Sequence, residues 1–232
     1  MAVGESVRVP SFDGKPVPAL AYRPPRDPIG AIILVHGGRT SQSRRTFGAF
    51  TQYLVSKGYA VLVPNVRGST GYGKSWTRLG SHDPRGGTIQ DLVACKWWLV
   101  GNAAVPDDKV VVMGGSEGGY MALAAEAFAP DEFAANVDYF GVSDLNQDDR
   151  SPIDFVERMK RPLLVVQGDH DPRVTKDQSD RIVEALRARK VPVERLVLDN
   201  EGHGFSRTDS MLRAYRATDA FLDRYLLGGG AR

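Results

Sequence analysis

The chain has 232 residues, which is enough for one large hydrophobic core but short for two enzyme domains of ordinary size. We therefore expect a single domain over 1–232, with a frayed tail at 228–232. Its 30 basic residues nearly balance 28 acidic ones and are dispersed, so nucleic acid is not an expected partner. No leader pattern is present, and no apolar run approaches the roughly 18 residues of a membrane span. We therefore expect a soluble, cytoplasmic protein with no membrane partner.

The predicted elements alternate between two hydrophobic periods. First, Ser6–Pro10 and Val17–Tyr22 flank the turn Phe12–Lys15, which predicts antiparallel edge strands. Six apolar runs then predict strands covered on both faces: Ala31–Val35, Ala60–Pro64, Lys109–Met113, Val137–Phe140, Leu163–Gln167 and Val193–Leu198. Five segments have helical spacing: Phe47–Lys57, Ile89–Val100, Glu117–Ala129, Lys176–Lys190 and Met211–Leu227. This alternation predicts an α/β fold, with a mostly parallel central sheet, helices on both faces and ligands at the carboxyl ends of the strands.

One predicted strand end carries a catalytic motif. The run Lys109–Met113 leads into Gly114-Gly-Ser116-Glu-Gly118, and an alanine-rich helix follows. When Gly-x-Ser-x-Gly joins a strand to a helix, the serine lies in a strained turn with its hydroxyl exposed. The flanking positions need glycine because side chains there would collide with neighbouring backbone. Ser116 is therefore the candidate nucleophile. A glycine-rich turn that merely joins a strand to a helix stays open, since short glycine patterns recur by chance.

The candidate general base is one of four histidines. His203 lies between two glycines, just after the last predicted strand, where a loop can fold over the edge of the sheet. His36 ends the first parallel strand and is expected to shape a loop there. His82 and His170 lie in polar loops typical of solvated side chains. We therefore predict His203 as the base.

The acid that orients this histidine is expected in the turn after the run Leu163–Gln167. Asp171 precedes a proline, which holds it out of the helical region, and is favoured. Asp169 is a near rival and Asp144 a more distant one, and each of the three could instead cap a turn. With Asp171 as acid, the serine, aspartate and histidine follow the chain order of α/β-hydrolases.

Five motifs occur in a fixed order along nearly the whole chain. They are His36-Gly-Gly38, Asn65-Val-Arg-Gly-Ser-Thr-Gly-Tyr-Gly73, Gly114-Gly-Ser-Glu-Gly-Gly-Tyr120, Asp171-Pro-Arg-Val174 and Gly202-His-Gly-Phe205. In this combination the chain resembles the catalytic domain of the prolyl oligopeptidase family, particularly its acylaminoacyl-peptidase-like and esterase-like branches. The resemblance implies the α/β-hydrolase fold and favours Asp171 over Asp169 as the acid.

The resemblance also implies how the rest of the site is built. The backbone N–H groups of Gly38 and Glu117 are the expected oxyanion donors. The loop Asn65–Gly73 is expected to border the site, which makes Tyr72 and Trp76 candidates for lining the substrate pocket. The side chain of Glu117 is unusual at its position. A carboxylate at a helix amino terminus contributes about 0.3–1 kcal/mol, so a structural role and a role in substrate selection both stay open.

Two departures from the family bear on the substrate. We expect no propeller before this domain, and the short stretch between Gly141 and Leu163 predicts a minimal cap and an open site. An open site favours a serine hydrolase that acts as a carboxylesterase on small or medium acyl esters. An exopeptidase or acylaminoacyl peptidase acting on short peptides is the alternative. Either reaction proceeds through an acyl-enzyme with no cofactor or metal. The natural substrate stays open, and a homo-oligomer is compatible with the sequence.

Overall fold

The computed structural model describes residues 1–38, 40–82, 87–146 and 150–228, with backbone only at 81 and 82, and these residues form an eight-stranded sheet. The strands are β1 (Glu5–Pro10), β2 (Pro16–Tyr22), β3 (Gly30–Val35), β4 (Tyr59–Pro64), β5 (Val110–Gly115), β6 (Ala135–Tyr139), β7 (Leu163–Gly168) and β8 (Val193–Leu198). Their order is β1-β2-β4-β3-β5-β6-β7-β8. β2 pairs antiparallel with β1 and β4, and all other neighbours run parallel. The predicted mostly parallel sheet with antiparallel amino-terminal edge strands is confirmed.

Helices cover both faces of the sheet. Within the described residues they are α1 (Ala49–Ser56), α2 (Lys74–His82), α3 (Gly87–Ala103), α4 (Glu117–Phe128), α5 (Lys176–Ala188) and α6 (Thr208–Leu226). In β3, Ile33 packs in the core shared with α3 and α4, whereas Ile32 packs in the core shared with α1 and α6. Leu163 of β7 packs with α5 on the α4 side. Because both faces are covered, the central strands are continuous apolar runs.

Helix α2 forms where the sequence analysis expected a loop. Trp76 is buried in the core, and its indole N–H donates to the Asn65 carbonyl at 3.2 Å. A Cβ at Gly80 would lie 2.4 Å from the Cα of Gly68, so the helix packs directly on the preceding loop. These tertiary contacts compensate for the low intrinsic helix propensity of Thr77 and Gly80.

The strand β6 ends one residue earlier than predicted. Phe140 has a φ of +44°, a left-handed conformation that leaves the extended strand. The connection onward to β7 contains a 3-10 helix at Pro152–Phe155. Within its described residues, 140–146 and 150–162, this is the regular element between the two strands, in keeping with the minimal cap.

Two further expectations concern membrane spans and the carboxyl-terminal tail. Among the described residues, no helix has both the length and the apolar character needed to cross a bilayer. The predicted tail at 228–232 lies outside the described residues except for Gly228.

A buried carboxylate ties α4 to the connection before β7. Glu126 is 1% exposed, and its Oε1 accepts the backbone N–H groups of Lys160 and Arg161. Its Oε2 accepts a hydrogen bond from the side-chain amide of Asn136. Burial raises the pKa of Glu126 to about 7 although these hydrogen bonds oppose the shift.

Glu126→Gln is expected to flatten the pH dependence of stability. The folded carboxyl, with a pKa of about 7, binds its proton more tightly than the unfolded one near 4.5, so the proton's stabilising effect is complete below 4.5 and is lost as pH rises through 7. At 1.36 kcal/mol per pKa unit this amounts to about 3 kcal/mol. Glutamine retains an acceptor for the two N–H groups, and once the Asn136 side-chain amide turns over, the glutamine amide can donate to Asn136 Oδ1, a buried atom without a partner among the described residues.

Denaturant unfolding of both proteins from pH 4.5 to 8 provides the measurement. Relative to the glutamine variant, the wild-type protein should lose stability as pH rises. Parallel pH profiles would show that Glu126 keeps an ordinary pKa in the folded state.

Candidate active site

Ser116 lies at a tight turn between β5 and α4. Its φ of +56° and ψ of −116° are rare for a residue with a side chain, and its N–H donates to the Tyr139 carbonyl at 2.9 Å. A Cβ at Gly114 would lie 2.5 Å from the carbonyl carbon of Gly118, and a Cβ at Gly118 would lie 2.3 Å from the oxygen of Val35. Both positions therefore require glycine. The close approach of helix and strands maintains the strained turn that presents the serine.

His203 and Asp171 form a hydrogen-bonded pair on the loops after β8 and β7. The distance from His203 Nδ1 to Asp171 Oδ2 is 2.7 Å, and the aspartate side chain is fully buried. Its other oxygen accepts the N–H groups of Arg173 at 2.8 Å and Val174 at 3.0 Å. With Nδ1–H donating to this anchored carboxylate, the Nε2 of His203 is the nitrogen left to take a proton.

The two rival aspartates have other partners. Asp169 lies 2.6 Å from Nδ1 of the exposed His170, and Asp144 accepts a hydrogen bond from Arg181 at 2.9 Å. Of the three candidates, Asp171 is the one whose carboxylate contacts His203. The side chain of His82 lies outside the described part of the chain.

His203 and Ser116 are the predicted base and nucleophile. Within the described residues, no hydrogen bond joins His203 to Ser116. Catalytic hydrogen bonds are often long in the absence of substrate and tighten in the substrate complex. The lack of this hydrogen bond is therefore compatible with the roles predicted for His203 and Ser116.

A buried carboxylate that the sequence did not indicate shapes the loop that carries His203. Glu201 is fully buried and accepts the N–H groups of Ser206 at 2.7 Å and Arg207 at 3.1 Å. Burial raises its pKa, but hydrogen bonds from nearby hydroxyl and backbone groups outweigh this, so the pKa lies below its usual value. A Cβ at Gly168 would lie 2.4 Å from the Glu201 carbonyl oxygen, so the loops after β7 and β8 touch. A lone glutamate in a polar loop gives no sequence signal of this role.

The two predicted oxyanion donors border a cavity. Gly38 has a φ of +83° in the loop after β3, and Glu117 begins α4. Both line a cavity of about 290 Å³, at the small end of ligand-binding clefts. Apolar residues in the lining are Val35, Val66, Tyr120 and Met121, and charged ones include Arg78, Arg150 and Glu117. The cavity can therefore accept a small group beside the serine turn.

His36 braces the loop that carries Gly38. Its Nε2 lies 2.9 Å from the Ser69 hydroxyl, and its Nδ1 lies 3.2 Å from the Gly37 carbonyl. Burial lowers the pKa of the imidazole, although the bond to the carbonyl opposes this shift. In the neutral ring Nδ1–H donates to Gly37 and Nε2 accepts from Ser69, which links the loop after β3 to the loop after β4.

The two predicted pocket aromatics lie away from the cavity lining. Trp76 is 8% exposed and packs in the core, so the structure gives it a supporting position. Tyr72 is 40% exposed, and its hydroxyl accepts a hydrogen bond from the Asn65 amide at 2.9 Å. Neither residue lines the cavity in the described part of the chain. A contact between Tyr72 and a larger substrate stays a prediction.

A buried ion pair holds the loop after β4 in place. The guanidinium of Arg67 donates to both oxygens of Asp91, at 2.8 and 3.0 Å, and the Arg67 backbone N–H donates to the same carboxylate at 2.9 Å. The Ser11 hydroxyl also donates to Asp91, at 2.6 Å. This pair thus connects the amino-terminal hairpin and α3 to a loop that lines the cavity.

Asp91→Ala is expected to destabilise the protein strongly, because it leaves the 6% exposed Arg67 without its main counter-ion. Breaking a buried pair in this way costs about 3–5 kcal/mol, and each kcal/mol lowers Tm by about 2–4 °C in a protein of this size. Thermal unfolding provides the measurement. Asp219→Asn is the control, since Asp219 pairs with Lys57 at the surface, where such pairs contribute about 0–1 kcal/mol. Equal Tm losses for the two variants would contradict the role given to Asp91.

The strand order, the strained serine turn and the histidine–aspartate pair at adjacent strand ends together define an α/β-hydrolase. Within that class, the sequence profile of the prolyl oligopeptidase family matches residues 45–150 and 146–229. The chain belongs to this family.

Three similar proteins illustrate the relationship. Dipeptidyl aminopeptidase BIII of Pseudoxanthomonas mexicana is 36% identical over 88% of this chain and 34% of its own length. The acylamino-acid-releasing enzyme of Arabidopsis thaliana is 26% identical over 86% of this chain and 30% of its own length. The solved structure of a Mycobacterium tuberculosis puromycin-hydrolyzing peptidase has a TM-score of 0.89 and 28% identity, and covers 96% of this chain and 39% of that one.

The chain spans about a third of the length of the curated relatives it matches. Two of the three similar proteins, from Pseudoxanthomonas mexicana and Mycobacterium tuberculosis, are named as peptidases. The comparisons therefore support the peptidase alternative of the sequence analysis better than its carboxylesterase preference.

Proposed function

We propose that this chain is the catalytic part of a serine peptidase that releases short units from peptides, as a dipeptidyl or acylaminoacyl exopeptidase. Ser116 is the nucleophile, His203 the general base and Asp171 the residue that orients the base. The observation that carries the proposal is the 2.7 Å contact between the partly exposed His203 and the buried Asp171, on the loops after β8 and β7.

The geometry supports a two-step acyl transfer. His203 Nε2 takes the hydroxyl proton of Ser116 as its oxygen attacks the carbonyl carbon of the substrate. The imidazolium, stabilised by Asp171, then donates the proton to the leaving amine. Water attacks the acyl-enzyme with the same histidine as base, which restores the serine.

Two backbone N–H groups, those of Glu117 and Gly38, stabilise the oxyanion that forms in each step of this proposed reaction. Glu117 supplies the N–H at the start of α4, and Gly38 supplies one from the loop that His36 and Ser69 brace. A donor of this kind is worth about 2.7–4 kcal/mol of barrier. Both N–H groups require backbone position rather than a particular side chain, which is compatible with a charged residue at position 117.

The peptidase function rests on the family and on the names of the relatives. An aminopeptidase and an acylamino-acid-releasing enzyme act at opposite kinds of amino terminus, one free and one blocked. Substrates that differ in this one feature therefore separate the two forms of the proposal.

The test compares matched anilides and esters. A free dipeptidyl p-nitroanilide, an N-acetylated aminoacyl p-nitroanilide and the corresponding p-nitrophenyl esters are assayed with wild-type protein, and each kcat/KM is divided by the spontaneous rate. The proposal expects the greater acceleration on an anilide. Greater acceleration on both esters would restore the carboxylesterase, and loss of any signal in Ser116→Ala confirms that the rates come from this site.

A further inference from the structure

Phe140 lies beside the proposed catalytic residues in a conformation that phenylalanine rarely adopts. Its φ is +44°, and its N–H donates to the Val166 carbonyl at 2.8 Å, which anchors the backbone at the end of β6. Left-handed backbone at a residue with a large side chain costs free energy and persists where surrounding contacts enforce it. Phe140 therefore keeps this conformation because the contacts of its backbone and ring enforce it.

The ring of Phe140 touches both the base and the chain that carries the nucleophile. Its centroid lies 4.8 Å from that of His203, with an interplanar angle of 62°. Phe205, itself at a φ of +46°, packs edge to face on the same ring at 4.9 Å. On the other side, Phe140 Cζ lies 3.0 Å from where a Cβ at Gly115 would be. Glycine before Ser116 thus leaves the space that the ring occupies.

A single hydrogen bond at Nδ1 does not prevent rotation of the His203 imidazole. Asp171 holds His203 at Nδ1, but the ring can still turn about that contact, and a turn moves Nε2 away from the serine. An aromatic ring packed against the imidazole limits this turn.

We propose that Phe140 is a positioning residue for His203, whose ring keeps Nε2 directed towards Ser116. This inference rests on the proposed function, because it concerns the same base. It assigns no contact with substrate to Phe140, so the effect is on the chemical step rather than on binding.

Two variants separate the ring from the backbone strain. Phe140→Ala removes the ring and keeps a Cβ in the left-handed conformation, whereas Phe140→Gly removes the ring and relieves the strain. Both are expected to lower kcat about 10- to 100-fold with little change in KM, since small displacements of a catalytic group can cost about 100-fold. Phe155→Ala is the matched control, because Phe155 makes an edge contact of similar geometry with Phe128, 4.9 Å at 62°. Its kcat should equal that of the wild-type protein.

A double-mutant cycle with Gly115 tests the contact itself. Gly115→Ala in the wild-type background should displace the ring and lower kcat. The same substitution in the Phe140→Ala background should cause no further loss, since the space is then free. Thermal unfolding of each variant shows that it is folded.

The outcomes distinguish a failure of the proposed function from a failure of the role given to Phe140. An inactive wild-type chain overturns the proposed function and this inference with it. If the wild-type chain is active, three results would overturn this inference alone. They are a full kcat in Phe140→Gly, a change of KM rather than kcat in that variant, or additive effects of the Gly115 and Phe140 substitutions.

Discussion

Ser116→Ala is expected to lower kcat on any substrate that the wild-type chain hydrolyses by about 10⁶-fold, the cost of removing the nucleophile from a template triad. Without the hydroxyl, no acyl-enzyme can form, and the remaining rate comes from the oxyanion donors and from binding. Alanine retains the Cβ and the strained backbone of the turn, so Tm should change little. Steady-state kinetics and thermal unfolding measure the two effects.

The control for this variant is a serine outside the site. Ser56 lies at the end of α1, where its hydroxyl donates to the Tyr53 carbonyl at the surface. Ser56→Ala should retain wild-type kcat. A Ser116→Ala protein that keeps more than a small fraction of the activity would move the nucleophile elsewhere.

Asp171→Asn is expected to lower kcat by about 10⁴-fold, the cost of the equivalent change in a template triad. An asparagine amide placed at Oδ2 would donate rather than accept, and this favours the wrong tautomer of His203. Oδ1 accepts two backbone N–H groups, which fixes the orientation of the amide, because its carbonyl oxygen takes that position. The variant should therefore fold normally and fail in proton transfer.

Asp169→Asn and Asp144→Asn are the matched controls, since both were rivals on the sequence alone. Asp169 contacts His170 and Asp144 contacts Arg181, and neither carboxylate contacts His203. Both variants should keep wild-type kcat within a few-fold. A loss in Asp169→Asn as large as that in Asp171→Asn would show that the acid loop rearranges during turnover.

The fold was largely predictable from local pattern. Parallel strands buried on both faces are continuous apolar runs, and an edge hairpin has a turn signal, so these elements can be recognised without tertiary information. Helix α2 could not be recognised, because it depends on the burial of Trp76 and on the contact of Gly80 with Gly68. The early end of β6 was also hidden, since nothing in the local sequence sets Phe140 at a positive φ.

Some residues of the candidate site could likewise be predicted from local sequence, and others could not. Ser116, His203 and Asp171 carry strong local signals: a serine between glycines, a histidine between glycines and an aspartate before a proline. The contacts of Glu201 with the loop around His203, and those of Phe140 with His203 and Gly115, exist only in the folded chain. The expectation of an open site favoured ester substrates in the sequence-based prediction. An open site can accept an ester or a peptide, however, and the similarity to named peptidases favours peptide substrates.

The most direct test of the catalytic assignment is covalent labelling with a fluorophosphonate, followed by mass spectrometry of the labelled peptide. This probe reacts with an activated serine and requires no knowledge of the substrate. We expect one adduct on Ser116 in the wild-type chain, slow labelling in His203→Ala and none in Ser116→Ala. Equal labelling of wild-type and Ser116→Ala proteins, whether strong or absent, would contradict this assignment.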